Sequence, residues 1–145
     1  MTQENHFVSV PFLFAGEEEM QLTIFSSHVR VRCKERLGIS FADDSDCCRF
    51  LVEILSDNRL ALILDKVPLY SKLAIYVEDY NIYLFMQIGT KVNSQEVKVS
   101  TIYVRSEKQE RVLVDEQDLC YVLPKEGSLR FGKEKKHFAL KKKTP

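Results

Sequence analysis

LGISFADDSDCCRFLVEILSD, from Leu37 to Asp57, is the stretch that decides the fold. Within it Cys47, Phe50, Leu51, Ile54 and Leu55 recur at i, i+3, i+4, i+7 and i+8, which gathers them on one stripe of a 3.6-residue helix. Cys48 and Val52 widen the stripe, while Arg49, Glu53 and Ser56 fall away from it. Asp43, Asp44, Ser45 and Asp46 offer N-caps, and their charge suits the positive end of the helix dipole. Asp57 and Asn58 prefer turns, so the spacing predicts one amphipathic helix over about 43–57.

Outside this stretch the period drops from 3.6 to two. Val8, Val10, Phe12 and Phe14 alternate with Ser9, Pro11 and Leu13, which predicts a strand from His6 to Phe14. Pro11 has no N–H to give to a ladder and assigns that strand to a sheet edge. Ala15-Gly16-Glu17-Glu18 turns the chain, and Met20, Leu22 and Ile24 alternate with Gln21 and Thr23 in a second strand. A third strand is read from Val29, Val31 and Cys33 on one side and Arg30, Arg32, Lys34 and Arg36 on the other. Pairing Ile24 with Val29 sets Leu22 against Val31 and Met20 against Cys33, so the apolar sets share a face.

After the helix, Arg59–Asp65 (RLALILD) is apolar on both sides and reads as a central strand. Leu73–Val77 and Asn81–Ile88 form a hairpin around Glu78-Asp79-Tyr80. Val97 and Val99 keep odd positions where Ile102 and Val104 keep even ones, so a bulge is expected near Ser100-Thr101. Arg111–Val114 is a short strand, Leu119–Leu123 a strand stopped by Pro124, and Leu129-Arg130-Phe131 with His137–Leu140 a last hairpin. These readings give an α+β chain: a single, mainly antiparallel β domain, roll or sandwich, over 1–140, with one helix packed on the sheet. Residues 141–145 are a basic tail, expected to lead into disordered sequence of a longer parent protein. Read as strand, acidic cap and helix, Leu37–Asp57 resembles the closing element of pleckstrin-homology-like domains. That resemblance implies a PH-like β-roll as the alternative architecture, although fewer strands precede the helix here.

The chain has 145 residues, 45% hydrophobic and 29% charged, enough for one domain with a real core and unlike a disordered chain. Its 21 basic and 21 acidic side chains cancel, so net charge selects no partner. Their distribution is less even, since residues 130–143 hold seven basic residues and one acid, Glu134. No apolar run approaches the roughly 20 residues of a membrane span. The opening MTQENHFVSV has neither the basic start nor the apolar core of a signal peptide. Cys33, Cys47, Cys48 and Cys120 form no disulfide pattern, which points to a reducing, intracellular setting. The lysine-rich end favours the nucleus over the cytoplasm.

For catalysis, glycine-rich phosphate loops and the GxSxG, HExxH and CxxC motifs are all missing. His6, His28 and His137 are far apart, so no catalytic residue, cofactor or metal is assigned and the chain is read as a non-enzyme. Adjacent residues on a helix point about 100° apart, so Cys47-Cys48 suits a buried helix side better than zinc. Asp43-Asp44-Asp46 starts like a calcium loop but lacks its later glycine and glutamate, which leaves helix capping.

Binding has three candidates. On a strand, Arg30, Arg32, Lys34 and Arg36 would line one face over roughly 20 Å, able to take phosphates or carboxylates. The same face could be merely solvated, with Glu19 beside Lys34 and Glu17 beside Arg36. Lys135, Lys136, Lys141, Lys142 and Lys143 form a nuclear-import-like or polyanion-binding cluster, or a plain solvated end. Tyr76, Tyr80, Tyr83, Phe85 and Tyr103 are out of phase with the core positions, and are packed between two layers or form an interface. Together these predict a non-catalytic protein–protein interaction domain, a scaffold or adaptor that binds another protein or a second copy of itself. The alternative is a nucleic-acid or phosphate-binding domain that uses the basic strand face and the lysine tail.

Overall fold

A computed structural model describes residues 7–91, 94–105, 114 and 116–134. The strands are β1 (Phe7–Phe14), β2 (Glu18–Phe25), β3 (Leu73–Val77), β4 (Ile82–Lys91), β5 (Ser94–Val104), β6 (Leu119–Leu123) and β7 (Arg130–Glu134). Between β2 and β3 lie α1 (Ser26–Leu37), α2 (Asp44–Leu55), a 3-10 turn (Asn58–Leu60) and α3 (Ala61–Lys66). The strands form one sheet in the order β1-β2-β5-β4-β3-β6-β7, so β1 and β7 are its edges. β2–β5 and β3–β6 are parallel, and the other four pairs are antiparallel. This is a mixed α+β architecture. The sheet is not closed, and the described residues supply no second sheet.

Helix α2 forms where the apolar spacing places it. Asp43 caps it by accepting the Asp46 N–H at 3.0 Å, and Cys47, Cys48, Leu51, Ile54 and Leu55 are buried. Its C-terminal end is satisfied from the β1–β2 turn, where the Ala15 N–H reaches the Leu55 carbonyl at 2.8 Å. Ala15 and Gly16 both have positive φ, at 56° and 78°, and the Glu17 N–H closes on the Phe14 carbonyl. Such a turn matches the twist of a hairpin, at the cost of holding an alanine in the left-handed region.

Two expected strands are helical. Val29 and Cys33 are as well spaced for a helix (i, i+4) as for a strand (i, i+4 on one face), and both readings bury them. In α1 they are buried, Leu37 at i+8 packs beside them, and Val31 is left 47% exposed. The surrounding Arg30, Arg32, Lys34, Glu35 and Arg36 favour a helix, and β2 finds its partners in β1 and β5 instead. The predicted pairing of Ile24 with Val29 is therefore overturned. Likewise, Arg59–Asp65 is the 3-10 turn and α3. Leu60, Ile63, Leu64 and Val67 face the core at helical spacing, and Leu62 points out, 44% exposed. A short continuous apolar run cannot separate these alternatives by period. With α1 and a loop before Asp43, the strand–cap–helix order behind the PH-like resemblance is absent, and three helices replace the single one expected.

Other expectations hold. β1 is an edge strand, β3 and β4 are a hairpin, and β6 stops before Pro124. The β4–β5 register slips between Phe85 and Met86, opposite Thr101 and Val99, which leaves Ser100 as the bulged residue. β7 includes Arg130 and Phe131, whereas His137–Leu140 lies outside the described residues. Of Arg111–Val114 only Val114 is described, and it is helical and buried.

All three helices contribute to one large core, on one face of the sheet. Phe12, Phe14, Leu22, Ile24, Ile75, Leu84, Val97 and Ile102 meet Val29, Cys33, Leu51, Leu55 and Ile63 there. The opposite face carries a smaller cluster of Ala74, Phe85, Val114 and Cys120, with Tyr83 and Tyr103 packed against it. Among the described residues no helix is long and apolar enough to cross a membrane.

Candidate interaction surface

The face of the sheet turned away from the helices divides into two halves. Its β3–β4–β5 half is aromatic. Tyr76 and Tyr83 rings lie 5.0 Å apart, Tyr83 and Phe85 6.4 Å, and Phe85 and Tyr103 5.4 Å. Guanidinium groups close both ends of this row, Arg105 at 5.1 Å over Tyr76 and Arg36 at 3.9 Å over Tyr103. Four of the five aromatic residues singled out in the sequence are thus brought together. Tyr76 and Phe85 are buried, and Tyr83 and Tyr103 half-buried, so the row is chiefly a second small core. Tyr80 stands apart, edge-on to Phe50 of α2 at 5.0 Å.

The β1–β2–β5 half is polar within and apolar at its rim. Cross-strand neighbours Ser9 and Thr23 share a hydrogen bond of 2.7 Å, and the buried Thr23 hydroxyl donates to Glu96 at 2.5 Å. With the Thr23 proton given to Glu96, Ser9 is the donor in the first bond. Outside them, β1 (FVSVPFLF) has no charged residue along its eight positions. The turn bond to the Phe14 carbonyl points even-numbered β1 residues at β2, so Ser9 and Pro11 turn their backbone groups outward, while the Leu13 carbonyl accepts the Gly16 N–H at 3.1 Å. Phe7 and Leu13 side chains are 54% and 48% exposed. Sequence reasoning assigned the edge through Pro11 but passed over these two residues, although the uncharged strand was itself a signal.

The basic stripe does not survive as one surface. Residues two apart on a helix face different ways, and the structure uses its cations separately. Arg30 pairs with Asp44 at 3.0 Å, linking α1 to α2, and Arg32 pairs with Glu35 at 2.8 Å along α1. The Arg32 Nε is buried, with no hydrogen-bond partner among the described residues. Arg36 donates to the Ile102 carbonyl at 2.7 Å. That contact has a structural reason: β2 pairs with β5 only as far as Val99, and α1 lies along the edge that β2 leaves open. Lys34 remains exposed. Lys135, Lys136, Lys141, Lys142 and Lys143 lie outside the described residues.

Two hollows flank this face. An open cleft of about 700 Å³ at the strand ends is lined by Pro11, Glu18, Glu19, Gln21, Thr90 and Gln95. A smaller one of about 250 Å³ sits beside the β4–β5 bulge between Lys72 and Lys98. All four cysteines are buried and reduced. The Cys33 and Cys47 thiols hydrogen-bond to one another between α1 and α2, and that hydrogen bond and burial push Cys47 far above the ordinary thiol range. Among the described residues no three His, Cys, Asp or Glu side chains converge as a metal site. Protein-family models, curated proteins and solved structures yield no match to this chain.

Proposed function

We propose that this chain is a non-catalytic protein–protein interaction module of the scaffold or adaptor kind, which accepts a strand from another protein, or from a second copy, along β1. The observation that supports it is the character of the edge: among the described residues no further strand lies beside β1, its eight positions carry no charge, and the Phe7 and Leu13 side chains are exposed. Sheet edges are usually blunted by charge, by proline or by a covering element. Here Pro11 removes a single outward donor, and the flanking positions keep theirs. An added strand would gain main-chain hydrogen bonds, and alternate side chains would meet Phe7 and Leu13. In this reading the module works inside the cell.

The test is a charge on the edge. Phe7→Lys and Leu13→Lys change exposed side chains, so the fold is retained, which circular dichroism checks. Sedimentation of the chain across a concentration series, alone and with its captured partner, should show association weakened at least about tenfold in either variant. Equal association by the wild type and both variants sinks the proposal. The nucleic-acid reading, with a nuclear location, draws on the seven basic residues of 130–143. It predicts binding that falls steeply with salt and ignores Leu13→Lys.

A further inference from the structure

The β1 edge of the sheet is complementary to itself. Ser9 and Pro11 turn their backbone groups outward, and alternation along the strand puts the Phe7, Ser9, Pro11 and Leu13 side chains on the face away from the helices. Val8, Val10 and Phe12 point to the helix side. Val8 and Val10 pack on the core there and are only partly buried, with no described strand beyond them. A strand laid along this edge would extend both faces at once. Lys98, whose ammonium lies 5.4 Å from the Phe7 ring, comes from β5, two strands inward of the edge.

Let that strand be β1 of a second copy, laid antiparallel about a two-fold axis. Outward-facing residues must then meet outward-facing residues, so only alternate registers are open. An axis at Pro11 sets two prolines against each other, and neither has an N–H to give. An axis at Ser9 restores hydrogen bonds at the centre but leaves Leu13 beyond the partner's Phe7. With the axis at Val10, the Ser9 N–H meets the partner's Pro11 carbonyl, and the partner's Ser9 returns the bond. Phe7 then lies across from the partner's Leu13, and Leu13 across from the partner's Phe7, which covers both exposed side chains. On the helix side Val10 meets its own copy and Val8 meets the partner's Phe12. β1 carries no charge, so the two copies bring no like charges together.

We propose that β1 pairs with β1 of a second copy of this chain, antiparallel about a two-fold axis at Val10, so that one sheet runs through both copies. This rests on the reading of β1 as a strand-accepting edge and names its occupant. The opposite edge does not compete. β7 reads RFGKE, with three charges in five positions, which suits an outer boundary of the sheet. The assembly therefore closes at two copies.

Sedimentation of the full chain across a concentration series should show monomer and dimer and no larger species. Phe7→Lys should weaken dimerisation at least about tenfold, since each dimer holds the substitution twice. Phe7→Lys/Leu13→Glu sets lysine against glutamate at both ends and should recover most of that loss. Val10→Cys should give a disulfide-linked dimer in oxidised glutathione, because facing residues at the axis bring their Cα atoms within disulfide range. Ser9→Cys should not, and the four native cysteines are buried. Circular dichroism verifies the fold of each variant. A chain that stays monomeric throughout overturns the proposal, as does a double variant no better than Phe7→Lys, linking through Ser9→Cys in place of Val10→Cys, or a ladder of larger species. If the chain is monomeric while Leu13→Lys still weakens capture of a different protein, the second-copy proposal falls and the β1 reading stands. If no association responds to Leu13→Lys, both fall.

Discussion

Strand β4 lets the two faces of the sheet be compared residue by residue. Leu84 points toward the helices and is wholly buried, while its neighbour Tyr83 points the other way and is half-buried. On Leu84's side β1 to β6 contribute buried apolar residues to one core shared with α1, α2 and α3. Tyr83's side has a strip of aromatics beside polar rows and a charge-free edge. One face is spent on stability. The other buries less and sets aromatic rings beside polar rows.

The largest expected effect sets these two residues against each other. Leu84→Ala opens a cavity with no route to collapse and should cost about 3–5 kcal/mol in urea unfolding. Tyr83→Ala loses ring contacts with Tyr76 and Phe85 beside solvent, and should cost about 1–2 kcal/mol. Equal costs would erase the distinction between the faces.

A smaller effect is expected at Gly89, also on the outer face. A Cβ there would lie 2.4 Å from Cε1 of Tyr70, whose ring covers the glycine. Tyr70 is itself held at φ 69°, its N–H on the Ile88 carbonyl and its hydroxyl accepting the Thr90 N–H at 3.1 Å. The ring is exposed and can swing away, so Gly89→Ala should speed amide exchange at Tyr70 and Thr90 while the midpoint of unfolding moves little. Unchanged exchange at both amides would show that the ring does not latch the loop.

The smallest effects concern pH, and they have opposite structural origins. Arg59, hydrogen-bonded to Asp57 at 2.7 Å and to the Pro124 and Gly127 carbonyls, holds the Asp57 carboxyl below its usual range. Asp57 then stabilises the fold above its unfolded pKa, and that contribution fades as pH falls through the folded one. Asp57→Asn should flatten this acid limb. His28 is held below 6.5 by burial first, then by Arg32 and Arg36. Between its folded pKa and 6.5 the unfolded chain binds more protons, so stability should rise with pH across that window. His28→Gln should remove this slope, as followed by urea midpoints at half-unit steps. A slope that persists in the variant would move its origin away from His28.

Local chemistry made several features legible before any coordinates. Asp43 with the Cys47–Leu55 spacing specifies α2, Pro11 an edge, and the phase change around Ser100 a bulge, because each depends on neighbours within a few residues. Val29 with Cys33, and Leu60 with Ile63, were ambiguous because a strand and a helix bury the same pair or run of residues. Which one forms was settled by distant partners, β5 beneath α1 and the shared core beneath α3. That choice dispersed Arg30, Arg32, Lys34 and Arg36 around a helix.

By itself, then, the sequence determined the capped helix α2, the bulge near Ser100 and which strand lacks a full set of donors. Only tertiary structure decided the strand order, the two parallel pairs and the gathering of the outer aromatic row. The physical reason is range: capping and periodicity act over a turn or a hairpin. The row of Tyr76, Tyr83, Phe85 and Tyr103 exists only once β3, β4 and β5 have chosen one another.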